Sequence, residues 1–427
     1  MKTTTIVSVN EDLKNLKLYY IPLIFIFLCF SLPTVNFSID MNYWASWSTS
    51  FLEYGIVKGY EMADCNYLPF YMYILKLNGW LQGTSAEIYR NINYLKIFTL
   101  LFDIMGIYVI LQYLIKFNIS PYKVFLVLFN ISYLYNSIIW GQVDSIVTFF
   151  AFVSVFFALN ERVSWTIVFF VLALNTKLQA IIFSPIIAII LIPQVFKNPK
   201  SLFVGLFWGL LIQLIIIWPF ILENKLNLLW KIVFGSVGYY PVVSKNAFNV
   251  WYLFLEGNLM ETSDELLFWG IKYKIWGFIL FFFFSFLALV PLLITTIRLM
   301  IEKSEKTIEY YKIVFLTSAL IPLVFFYFNT QMHERYCHPM VIFIATYALI
   351  SSNYICYILL SIGYFLNLEK IVMSLMLKSY GTILFDNRFI SFLFLLSLVY
   401  ILFQLYSVLT LRHISNLKNM KLIFKAS

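Results

Sequence analysis

Leu18–Phe37 reads LYYIPLIFIFLCFSLPTVNF, twenty residues without a charge. At 1.5 Å per residue, a helix of that length covers about 30 Å, the hydrocarbon thickness of a bilayer. A backbone in lipid must satisfy its own N–H and C=O groups, so a helix is the expected form. A β-barrel would alternate in segments of about ten residues, and no such alternation is present. Working outward, similar runs recur along the chain. Of the 427 residues, 62% are hydrophobic and 12% charged, against about 25% charged in a soluble domain. Mean hydropathy is +0.84. The mixed-charge stretch 1–17 before the first run raises a signal peptide as an alternative. The run is long for such a peptide and no small-residue cleavage site follows, so it reads as a retained span.

Roughly twelve spans are expected, near 18–38, 93–115, 121–138, 142–159, 163–177, 179–194, 200–222, 270–298, 308–328, 338–351, 354–368 and 389–411. The fold class is then an all-α integral membrane protein, a single domain over 1–427 without internal repeats. Orientation follows from the short connections. Lys2, Lys14 and Lys17, then Lys116 and Lys123, Arg162, Lys197 and Lys200, Arg298, Lys303 and Lys306, and finally Arg412, Lys418, Lys421 and Lys425 fall on one side. The positive-inside rule makes that side cytoplasmic, with both termini, 1–17 and 412–427, on it. Two long loops, 39–91 and 223–272, lie on the other side. They are rich in Trp and Tyr, and stretches such as Phe70–Leu77 read as helices lying in the interface.

The net charge of +9 is explained by this topology, and no basic stretch stands apart from a span, so nucleic acid is not an expected partner. Membrane lipids are. Cys29, Cys65, Cys337 and Cys356 form no C-x-x-C pair. A metal knuckle is not expected, and a Cys65–Cys337 bridge between the two outer segments stays open.

Polar residues are costly in a membrane and need a reason to be there. Five clusters stand out, all on the non-cytoplasmic side. Asp40 follows the first span in Asp40-Met41-Asn42-Tyr43-Trp44; it is either a solvated acid ending a helix or a candidate base. Trp140-Gly141-Gln142-Val143-Asp144-Ser145 joins the third and fourth spans. Asp144 can serve the helix dipole there, which leaves Gln142 unexplained. Asn175-Thr176-Lys177-Leu178-Gln179 holds either a snorkelling lysine or a cation aimed at phosphate. Lys245-Asn246-Ala247-Phe248-Asn249-Val250-Trp251 is a turn entering an interfacial helix, or a place where Asn246 and Asn249 hydrogen-bond a sugar and Trp251 stacks on it. Gln331-Met332-His333-Glu334-Arg335-Tyr336 carries three adjacent ionisable residues between apolar runs. It is a structural salt-bridge cluster, or a phosphate site built on the planar donor fork of Arg335. Only three histidines occur in the chain, His333, His338 and His413, too few on one side for a zinc site of three or four ligands. Asp103 lies inside the second span and must have a partner or line a cavity.

Taken in order, these motifs resemble the GT-C superfamily of membrane glycosyltransferases, nearest to prokaryotic relatives of the second mannosyltransferase of GPI-anchor synthesis. The resemblance is carried by Asp40 with Trp44 and Trp47, Asn66-Tyr67-Leu68-Pro69, Trp140 to Asp144, Lys177-Leu178-Gln179, Asn246-Ala247-Phe248-Asn249 and Met332 to Tyr336. Such relatives often read Tyr-Pro-Pro where this chain has Tyr67-Leu68-Pro69, and Lys-Pro-Gln where it has Lys177-Leu178-Gln179. Both departures fall at backbone-shaping positions rather than charged ones.

The resemblance implies a GT-C-like bundle in a prokaryotic cell membrane, with the site facing away from the cytoplasm. It implies a polyprenyl phosphate sugar as donor, a glycan or glycolipid as acceptor, and no cofactor or metal. Asp40 would be the catalytic base. Arg335, Lys177 and His333 would meet the donor phosphate. Glu334, Gln142, Asp144, Gln179, Asn246, Asn249 and Trp44 would support them or bind substrate. The chemistry agrees: an acceptor hydroxyl needs a base, worth about 10²–10⁴-fold, and a departing phosphate needs cations rather than an acid. A transporter or flippase for a lipid-linked sugar is the first rival, although transporters commonly show repeats and broken helices at the midplane. A glycan polymerase or ligase is the second.

Overall fold

A computed structural model describes residues 20–32, 38–236 and 238–426, with side-chain surroundings as far as Thr410. The lysines before the first run lie outside the described residues. Of the first expected span, only Tyr20–Leu32 is described before the chain resumes at Ser38. The described residues are predominantly helical. The one sheet among the described residues is a two-stranded hairpin, Leu267–Phe268 paired antiparallel with Ile271–Lys272.

The principal helices are α1 (Ile21–Ser31), α2 (Ser38–Tyr54), α3 (Pro69–Gln82), α4 (Lys96–Lys116), α5 (Asp144–Leu159), α6 (Val163–Thr176), α7 (Ser184–Lys197), α8 (Lys200–Leu222), α9 (Tyr273–Glu302), α10 (Ile308–Phe328), α11 (Pro339–Ser351), α12 (Ile355–Val372) and α13 (Asn387–Ala426). Among the described residues, seven helices are long and apolar enough to cross a membrane: α4, α7, α8, α9, α10, α12 and α13, with flanking turns included where they continue the helix. The chain is therefore a multi-pass membrane protein. The expected span at 121–138 is broken: Pro121–Leu128 and Ile131–Trp140 meet at a 55° bend. The break is made by Asn130, whose side-chain oxygen accepts from the backbone of Ser132 (2.9 Å) and Tyr133 (3.3 Å) and so starts the second piece as an N-cap. α1, α5, α6 and α11 are apolar but shorter.

Burial sorts the helices into layers. The apolar window of α10 is 89% buried by its neighbours, that of α8 only 17%. α10 is the central post, and α8 presents Phe203, Phe207, Ile215 and Trp218 outward, as a lipid-facing helix must. α8 approaches α6 closely through two glycines: a Cβ on Gly205 or Gly209 would lie 2.7 or 2.6 Å from Ile167. Small residues let helices pack where lipid offers no hydrophobic drive between them. Inside the bundle, Asp103 of α4 has its partner in Ser137, whose hydroxyl donates to the carboxylate. All four cysteines are free, so the Cys65–Cys337 bridge is not formed. The loop stretch 39–91 folds into helices, among them α2 and α3, packed over a second apolar core.

Candidate active site

The site lies where α2 begins, α5 begins, α6 ends and α10 gives way to α11. Asp40 stands in the first turn of α2. It begins a helix, rather than ending one as a solvated acid would, and the positive end of the helix dipole favours its charge there. One of its oxygens, Oδ2, accepts from Trp140 Nε1 at 2.6 Å and Gln142 Nε2 at 2.7 Å. Among the described residues, no hydrogen bond reaches Oδ1. Asp40 is half-buried, so the second oxygen keeps access to the mouth.

The two donors are aimed by an irregular backbone. Tyr135–Trp140 is a π-helical turn, a form often found at functional sites. It ends at Gly141 with φ +72°. A Cβ there would lie 2.6 Å from Met41 Sδ and 3.2 Å from Lys96 Cε, so both the left-handed backbone and the close approach require glycine. Lys96 completes the support. It is fully buried at the start of α4 and donates to the Ile139 carbonyl at 3.1 Å. Sequence reading missed Lys96. The available signal is a lysine at the end of a span opposite the lysine-rich short loops.

Trp140 also faces the cations. The Arg335 guanidinium lies 5.4 Å from the Trp140 ring centroid, within cation–π range. One indole thus bonds Asp40 through its edge and receives Arg335 on its face. Arg335 Nη1 donates to Glu334 Oε1 at 2.8 Å. Its Nε lies 3.4 Å from Asp144 Oδ2, close enough for an ion pair but misdirected for a hydrogen bond. Lys177 is the C-cap of α6, its backbone extended, and its Nζ donates to Asp144 Oδ1 at 2.6 Å. An acid at one helix N-terminus thereby meets a lysine at another helix C-terminus, both sites favoured by the dipoles. Asp144 is buried; it holds the two cations rather than reaching toward Asp40 or the mouth. Tyr336 packs under both, 4.6 Å from Lys177 and 5.9 Å from Arg335.

His333 sits beside Glu334, Nδ1 to Oε2 at 3.8 Å, and packs its ring on Tyr240 and Tyr336. Burial pulls its pKa below the ordinary imidazole value, with Arg335 and Lys177 acting the same way against Glu334. Tyr240, half-buried at the mouth, was not singled out from sequence and is brought in by its loop. Lys245 N donates to Met332 O at 2.9 Å, and Gln331 N to Val242 O at 3.1 Å, so residues 242–246 run alongside 331–333.

Asn249 is corrected by the structure. Its amide nitrogen donates to the carbonyls of Phe326 and Asn329, and its oxygen accepts from Trp251 N. Fully engaged in bracing the end of α10, it is not available to a sugar. Asn246 is half-buried, with φ +67° at the bend beside His333. Gln179 is half-buried on the 3₁₀ turn Leu178–Phe183. Trp44, one turn beyond Asp40, is buried among Trp47, Tyr67 and Tyr71 at ring separations of 5.1 to 5.5 Å. Tyr67 is the half-buried member of that group, and its ring lies 5.9 Å from Lys177.

Among the described residues, no group of three or more His, Cys, Asp or Glu side chains could hold a metal ion. Chemically, the arrangement offers a carboxylate with one unengaged oxygen, faced across an indole by a clamped guanidinium and a buried ammonium. No family model matches the chain, and no curated protein matches it in sequence.

Proposed function

We propose that this protein is an inverting glycosyltransferase of GT-C type, crossing the membrane about twelve times, with its site on the non-cytoplasmic face. It moves a hexose, in our reading mannose, from a polyprenyl phosphate donor to a hydroxyl of a glycan or glycolipid. The observation that carries the reading is Trp140, one ring holding a carboxylate and a cation at a fixed separation. A single displacement needs those two poles. Asp40 takes the proton from the acceptor hydroxyl. The acceptor oxygen bonds to the anomeric carbon as the bond from that carbon to the phosphate oxygen breaks. The phosphate leaves with the electron pair, and Arg335 and Lys177 stabilise the charge it gains. Attack opposite the leaving group inverts the anomeric carbon.

The charge around the site supports a monophosphate donor. Lys96, Lys177, Lys245 and Arg335 lie in or at the rim of the cluster, against the carboxylates Asp40, Asp144 and Glu334. The excess is one positive charge with His333 neutral. That balances a phosphodiester and falls short of a diphosphate, the donor a polymerase or ligase would take. The twelve-span count adds α1, α5, α6, α11 and the bent pair to the seven long helices, and the side assignment rests on the lysine-rich short loops.

The test is transfer from labelled polyprenyl phosphate mannose and glucose by purified protein, with Asp40→Asn as control. Transfer from one of them, lost in Asp40→Asn while the variant still inserts and folds, supports the reading. Retained transfer in Asp40→Asn removes the base. Transfer from neither donor, with movement of the lipid-linked sugar between leaflets, favours a transporter.

A further inference from the structure

The second long loop ends in the hairpin Leu267–Lys272, which the proposed chemistry does not use. Its two-residue turn, Trp269-Gly270, has φ of +50° and +80°, the type that matches strand twist. The turn carries Trp269 with 84% of its surface exposed, next to Leu267 at 65%. Large apolar side chains at the tip of a tight turn are costly in water.

Position along α9 says what covers them. Trp276, in the first turn of α9, donates to the Phe268 carbonyl at 2.8 Å, and Phe268 stacks on both Trp269 and Tyr273. The hairpin therefore lies level with the start of α9. The outward apolar stripe of that helix runs from Ile275 to Ile301, and the part of it ahead of the first charge, Arg298, is Ile275 to Ile297, about 33 Å of helix rise against a hydrocarbon core of about 30 Å. Ile275 then marks one edge of the core, and the hairpin sits just beyond it, at the headgroups. Tryptophan is the residue type favoured at that level. Lys272 and Lys274 both pair with Glu265 beside the tip.

We propose that the Leu267–Lys272 hairpin is a membrane-interface anchor, with Trp269 and Leu267 seated among lipid headgroups on the site's side of the bilayer. The partner is the lipid surface itself, continuous with the lipid-facing stripe of α9. The anchor also reaches the site. Asp264, at the hairpin base, accepts from Thr330 Oγ1 at 2.8 Å and Gln331 Nε2 at 2.7 Å, two to three residues before His333. The hairpin thus sets the height of the loop that carries Arg335. The proposal needs only that the chain spans a membrane, so it stands or falls separately from the enzymatic reading.

The experiment uses the full chain in nanodiscs, one copy per disc, with an environment-sensitive fluorophore on W269C in a C29S background. With a nitroxide at the fifth acyl carbon the label is expected to lose about half its emission, with one at the twelfth carbon about twofold less, and with aqueous iodide little. Strong iodide quenching without lipid quenching would overturn the proposal, as a solvent-exposed tip. Quenching by neither, in these discs and in discs holding two copies, would overturn it in favour of a tip covered by protein. Should W269C misfold, the difference in emission between wild type and W269F in brominated lipid gives the same test on the native residue. A blue-shifted, quenched difference spectrum is expected, and an unquenched, red-shifted one refutes it.

Discussion

Trp140→Phe removes one atom's work from the site. The phenyl ring keeps an aromatic face toward the Arg335 guanidinium, 5.4 Å from the present ring centroid, and loses the N–H that reaches Asp40 Oδ2 at 2.6 Å. A hydrogen bond to a charged group is worth about 1.5–3 kcal/mol. If that energy is expressed in the transition state, kcat/KM for sugar transfer falls roughly ten- to hundredfold, at 1.36 kcal/mol per factor of ten. The loss should sit in kcat, because Gln142 alone then holds the carboxylate while the cation side is intact. Donor KM should move less than about threefold. Initial rates with purified protein measure this. Thermal unfolding in detergent supplies a check independent of activity. The destabilisation by Trp140→Phe should shrink in the Asp40→Asn background, where the bond it removes is between neutral groups. Wild-type kcat in Trp140→Phe would refute the reasoning. So would equal thermal penalties in the two backgrounds, which assign the pair no coupling.

Gly141→Ala places a Cβ 2.6 Å from Met41 Sδ at a left-handed backbone. The cost is about 1–2 kcal/mol for the conformation and about 1–3 kcal/mol for overpacking, read as a clear fall in melting temperature; an unchanged value would contradict the close approach. Asp144→Asn leaves the buried Lys177 ammonium without its 2.6 Å partner, which typically costs about 3–5 kcal/mol. Asp144→Asn with Lys177→Met should recover part of that loss, whereas strictly additive melting shifts would argue against the pairing. Burial, with Arg335 and Lys177 beside it, lowers the pKa of His333 in the folded protein, so it gains its proton at a lower pH than an ordinary imidazole does. The pH–rate profile should therefore carry no His333 limb near pH 6.5. A limb there that vanishes in His333→Asn would show an ordinary imidazole instead.

The membrane class was legible because uncharged runs such as Leu18–Phe37 have few physical solutions. All five polar clusters meet, through Asp40, Trp140 with Gln142, Lys177, Glu334 with Arg335, and, at the rim, Lys245 and Asn246 beside His333. Charged groups flanked by apolar runs have few ways to be stabilised except by one another. What sequence could not supply was pairing. Asp40 and Trp140 lie a hundred positions apart, and only the packed helices decide that Asp144 turns to the cations while Gln142 turns to Asp40. Lys96 carries no mark in the sequence because its burial under Gly141 depends on a tertiary approach. Asn249 looked like a sugar ligand because an amide that braces α10 has the same composition as one that binds substrate. The hairpin at Trp269 was absorbed into a loop read as interfacial helices, since two-residue strands leave almost no periodicity.

The contrast between α10 and α8 divides the molecule's dependence on its surroundings. α10 has exchanged lipid for protein on nearly every side, so it behaves as the core helix of a soluble protein would, answering to packing and little to acyl-chain length. α8 keeps only α6 and a few neighbours, and its outward rings must be solvated by whatever lipid is present. The loop bearing His333, Glu334 and Arg335 hangs from the end of α10, not from α8. A change in bilayer composition therefore meets a compliant periphery first, while the scaffold directly behind those three side chains is insulated from it.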